Sequence, residues 1–168
     1  MRKLVLGTFL LAVVALAPSA VFAVGPTSTT STGGLHYVGQ PDLTVQGGSS
    51  GVWLRATGEV AGAGTTATAT LSADVEVVRG CINRGSKDQQ PSGLQASFGT
   101  TSGSTTFHTR SGRGTFTVDT STITATPFSC PDHMVPVLVS VKWTNILLTI
   151  TSNPNKEATA SFPDQSWP

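Results

Sequence analysis

Between Thr66 and Val77 apolar and polar side chains alternate for twelve residues without a slip. Ala67, Ala69, Leu71, Ala73, Val75 and Val77 take one side, and Thr66, Thr68, Thr70, Ser72, Asp74 and Glu76 take the other. Successive Cβ atoms of an extended chain point to opposite faces, so this period of two marks a strand with one face buried and one wet. On a helix the same residues would be smeared around the whole circumference. The surrounding chain agrees, because Ser and Thr make up 44 of its 168 residues and Gly another 18. Thr is stiff at Cβ and suits a pleated surface, while Gly supplies turns.

Further strands follow from the same pattern. Leu43 and Val45 form a short one after Pro41, and Gly47 to Gly51 turns the chain. Val52, Leu54, Ala56 and Val60 then oppose Trp53, Arg55, Thr57 and Glu59. Leu94 to Thr109 alternates weakly and reads as two short strands or one bent strand. Phe116 and Val118 share a face that continues to Ile123 and Ala125. Val137, Val139, Val141 and Trp143 share one phase, whereas Ile146, Leu148 and Ile150 follow another, which predicts a tight turn or β-bulge near Thr144 and Asn145. Ala158, Ala160 and Phe162 make a last strand. Seven to nine short strands separated by turn signals predict an all-β, immunoglobulin-like β-sandwich, with a small β-barrel as the alternative.

The first 23 residues read as an export signal: a basic start at Arg2 and Lys3, an apolar run from Leu4 to Ala17, and Val21-Phe22-Ala23 at the cleavage point. The run is shorter than the roughly 20 residues of a spanning helix. The later Val137 to Ile150 stretch is broken by Ser140, Lys142 and Thr144, so no membrane span is expected after cleavage. Residues 24–36, rich in Thr, Ser and Gly, read as a flexible tether, and 37–168 as one domain. Secretion places Cys81 and Cys130, the chain's two cysteines, where an even pair becomes a disulfide. Closing that loop of about 49 residues would stabilise the fold by on the order of 4 kcal/mol. Beyond residue 23 the chain carries eight basic and nine acidic side chains, singly scattered, which argues against nucleic acid as a partner.

The run Tyr37-Val38-Gly39-Gln40-Pro41-Asp42-Leu43-Thr44-Val45, the long strand ending in Cys81-Ile82-Asn83, the Gln90-Pro91-Ser92-Gly93 loop and the Cys130-Pro131-Asp132 turn together resemble small secreted prokaryotic two-cysteine β proteins of unknown function. The resemblance implies the fold and the bridge, and carries over no functional residue.

Candidate chemistry is sparse. His36, His108 and His133 stand alone, with no zinc-ligand spacing, and a bridged Cys130 cannot be a thiolate ligand, so neither metal nor cofactor is expected. No Gly-x-Ser-x-Gly elbow is present. Asp74 and Glu76 share one side of a strand about 7 Å apart, but on its wet face rather than in a cleft. No catalytic residue is assigned. Trp53 interrupts an otherwise polar face and is a candidate contact for a protein or a sugar ring. Arg84 and Lys87 are added from the turn-rich loop between Ile82 and Gly93, which the disulfide pins at one end. The expectation is an exported, non-catalytic β-sandwich that binds protein or carbohydrate outside the cytoplasm. The alternatives are a small secreted hydrolase, with His108 or His133 beside a carboxylate, and an inhibitor presenting the Cys81 to Gly93 loop.

Overall fold

In the computed structural model, which describes residues 23–48, 50–84, 90–152 and 155–168, every regular element is a strand. In chain order these are β1 (Ser28–Thr32), β2 (His36–Tyr37), β3 (Asp42–Gly48), β4 (Gly51–Ala61), β5 (Thr66–Asn83), β6 (Ser92–His108), β7 (Gly114–Asp119), β8 (Met134–Thr151), β9 (Glu157–Phe162) and β10 (Gln165–Trp167). All pair antiparallel. One open sheet runs β1-β9-β8-β5-β6, with β10 pairing β8 just beyond the end of β9. The other is built on β4, with β2 and β3 along one side and β7 along the opposite side.

The alternation read from the sequence becomes the core. Ala67, Ala69, Leu71, Ala73 and Val77 of β5 are buried, and they join Leu54, Ala56 and Val60 of β4 and Phe116 and Val118 of β7 in one apolar cluster. Both sheets turn one face to this cluster, a sandwich-like arrangement with no closed barrel among the described strands. Tyr37 ties the layers together: its hydroxyl donates from β2 to the carbonyls of Leu148 (3.4 Å) and Ala158 (3.2 Å) on the large sheet. Along one side the end of β7 docks on β6, where the Ser121 amide donates to the Ser102 carbonyl at 3.1 Å. Gly103 permits that approach, because a Cβ there would overlap the Asp119 carbonyl oxygen.

The anticipated bulge in β8 is present. Ser72 pairs with Leu147 and Asp74 with Thr144, leaving an extra residue on β8 where Asn145 takes a positive φ of 51°. This moves Ile146, Leu148 and Ile150 onto the face that Trp143 occupies. A second bulge was not legible in the sequence. Val78 pairs with Ser140 and Arg79 with Leu138, so Val139 is the extra residue. The expected continuous face of Val137, Val139, Val141 and Trp143 is therefore corrected: Val141 and Trp143 are buried, Leu138 packs on the core, and Val137 and Val139 are half-buried.

Of the two readings for Leu94 to Thr109, the single strand holds, running 17 residues from Ser92 to His108. Two other expectations change. Ile123 does not extend β7; it makes an isolated bridge to Val52 after the chain has turned away. The tether of residues 24–36 is corrected as well, since β1 pairs from Ser28 with Ser161 to Thr32 with Glu157. The side chains of β1 are exposed, but Val24 bridges Leu43, Thr27 donates to Ser161, and Leu35 is fully buried in the core. Hydrogen bonding rather than apolar burial brings the polar strand β1 into the sheet, and apolar periodicity cannot reveal that. The signal residues 1–22 lie outside the described residues.

Candidate functional site

Cys81 and Cys130 are bridged, with Cα atoms 5.8 Å apart. Cys81 lies near the end of β5, and Cys130 follows the segment from Thr120 that crosses from β4, where Ile123 bridges Val52, to β5. Arg79 supports the same crossing, donating from Nε to the Thr124 carbonyl (3.0 Å) and from Nη1 to Ser97 Oγ (3.0 Å). Such a bridge persists in oxidising compartments, so the molecule fits an extracytoplasmic setting. No helix among the described residues is long and apolar enough to cross a membrane.

Trp53 stands on the outer face of β4, half-buried, opposite Gln46. Its face is occupied by structural ion pairs. Arg55 forms a bidentate bridge to Asp119, with both contacts at 2.7 Å, and Arg113 meets Glu59 at 2.9 Å. The Asp119 carboxylate hydrogen-bonds the Arg55 guanidinium and holds its pKa above the ordinary arginine value. These pairs join β4 to β7, and being well exposed each contributes at most about 1 kcal/mol. Arg84 is exposed directly after the end of β5, its amide donating to the His133 carbonyl at 3.2 Å. Trp53 lies on the small sheet and Arg84 beyond the end of β5, so the fold sets them on different elements. Lys87 lies outside the described residues.

His108 and His133 are exposed, and among the described residues neither side chain pairs with a carboxylate. No group of three His, Cys, Asp or Glu side chains among the described residues is arranged to hold a metal ion. Asp74 accepts a hydrogen bond from Asn145 Nδ2 at 2.7 Å, which anchors the β8 bulge. Glu76 is flanked in register by Lys142 of β8 and Phe98 of β6.

The feature that sequence reasoning missed is the first half of β6. From Ser92 to Thr100 every residue is exposed, on both faces of the strand. The strand ends the large sheet, and from Ser92 to Thr100 its backbone pairs with β5 alone among the described residues, so this part of the other edge presents N–H and C=O groups with no partner there. Phe98 is 78 % and Leu94 58 % exposed, the two most exposed large apolar side chains of the described chain. Both lie on the outer face: Phe98 is in register with Glu76, and a Cβ at Gly80 would touch the Leu94 side chain at 3.0 Å. A shallow recess beside Phe98 is lined by Asp74, Glu76, Lys142 and Thr144. The available signal was the run from Ser92 to Thr106, which holds neither charge nor proline, because natural edge strands carry Lys or other charges, or Pro, against unwanted pairing.

No family model, curated protein sequence or solved structure matches the chain.

Proposed function

We propose that this is an exported, non-catalytic β-sandwich that binds a protein outside the cytoplasm through the arm of the large sheet in which β8, β5 and the exposed edge strand β6 run together. The observation that carries the reading is the doubly exposed Ser92–Thr100 edge with Leu94 and Phe98 on one face. A protein partner uses both parts of such a surface, because an extended segment pairs with the backbone edge while its side chains cover the apolar pair. A sugar ring would stack on Phe98 but leave the edge unused. The disulfide and the apolar leader support the extracytoplasmic setting. Exposed, unpaired His108 and His133 give the hydrolase alternative no support.

The test is capture by the secreted protein under native conditions, comparing the natural chain with a Leu94→Glu, Phe98→Lys double variant. Both sites are exposed, so the variant is expected to melt within a few degrees of the natural chain while losing its captured protein. Equal capture by both would overturn the reading, and retention by a glycan surface alone would replace it with carbohydrate binding.

A further inference from the structure

The geometry points to a second copy of this chain as the occupant of the β6 edge, paired antiparallel across Ala96 to make one sheet continuous through two molecules. This inference rests on the arm being a binding surface.

The edge is self-complementary. When a strand pairs antiparallel with its own copy about residue 96, residue 94 meets 98, 95 meets 97, and 96 meets itself. On the outer face this sets Leu94 of each copy against Phe98 of the other, with the small Ala96 side chains between them. Apolar side chains set directly opposite each other across a strand pair in this way stabilise a sheet. On the inner face Gln95 meets Ser97, a neutral polar pair. The two-fold axis stands perpendicular to the sheet, so both copies keep their outer faces on the same side, as an isologous interface requires.

Charge points the same way. From Ser92 to Thr100 the strand has no charged residue, so no like charges meet across the seam in this register. Glu76 and Arg79, the nearest charges on β5, each lie one strand back from it. The opposite edge of the same sheet differs, since β1 offers five exposed Ser and Thr side chains and no apolar anchor. The docking of Ser121 on Ser102 closes the lower part of β6, which confines the seam to residues 92–100. A nine-residue seam falls below the area of a permanent dimer, so the expected association is weak and concentration-dependent.

Sedimentation velocity of the mature protein between about 1 and 300 μM is the experiment. The natural chain should shift from monomer to dimer across that range. Leu94→Glu and Phe98→Lys should each weaken the dimer at least about tenfold, because each sets a charge against an apolar partner. Phe98→Lys also lies beside Glu76, so its fold should be undisturbed. Mixed in equal amounts the two variants should re-form a dimer, since one end of the seam then pairs the introduced carboxylate with the introduced ammonium and the other keeps Phe98 against Leu94. A natural chain that stays monomeric at 300 μM overturns self-pairing, and so does a mixture that fails to associate. Loss of partner capture by a monomeric protein would leave the arm as a binding surface for another protein, whereas undiminished capture would remove the arm altogether.

Discussion

Two tryptophans show how burial follows from phase alone. Trp143 shares a face with Val141, is fully buried, and leaves its indole N–H without a partner among the described residues. Trp53 sits in the opposite phase on β4 and is half-buried over a polar face. Replacing Trp143 by alanine should cost about 3–5 kcal/mol in denaturant unfolding, through lost transfer energy and the cavity left behind. Trp53→Ala should cost under about 2 kcal/mol, since much of its surface is already wet. Both assignments were legible in the sequence because each residue continues an alternating run. Phe98 was not, because its neighbours Gly93, Gln95, Ser97 and Gly99 give no apolar face against which to judge it. Its exposure depends on what the rest of the chain fails to cover.

At the scale of elements, the long strands outrun the core and need other support. β5 and β8 each span 18 residues, and at their far end β8 is half-buried from Met134 to Ser140 while β5 keeps only Gly80 and Cys81 buried beyond Val77. The bridge between Cys81 and Cys130 fastens that end to the Thr120–Cys130 crossing. Serine at either cysteine should lower stability by about 2–5 kcal/mol, measured as the shift in the unfolding midpoint with the slope checked for constancy. The β8 bulge is a second local device. Asn145→Val should destabilise by about 1–3 kcal/mol, because a β-branched residue resists the positive φ and the hydrogen bond to Asp74 is lost, whereas Asn145→Gly should cost less. Equal losses for the two would show that the hydrogen bond, not the backbone conformation, is what the position requires. The phase change that revealed this bulge left a sequence trace only because apolar residues flank it on both sides. The bulge at Val139 left none, since every residue from Val135 to Val139 is apolar and any register reads alike.

For the whole molecule the question is what holds two sheets in one orientation. Apolar contact is non-directional, so fixed polar ties between layers carry that information. Tyr37 is such a tie, reaching from β2 to carbonyls on β8 and β9. Burial raises its phenol pKa well above the ordinary value, and the position explains why: a phenolate there would lose its donor proton and face two carbonyl oxygens. The folded state thus holds the proton more tightly than the unfolded chain, whose tyrosine titrates near 10. Stability from this group is fully present below about pH 10 and falls as pH rises above it, because the unfolded state releases the proton first. Tyr37 is the chain's one tyrosine, so phenolate absorbance near 295 nm reports this site alone. On raising the pH, that absorbance should stay flat past 10 and then appear together with loss of the far-ultraviolet β signal. Tyr37→Phe should lose about 1 kcal/mol at neutral pH and show a weaker alkaline decline. A phenol that titrates near 10 with the sheets intact would mean that the hydroxyl is wet and that some other contact sets how the two layers meet.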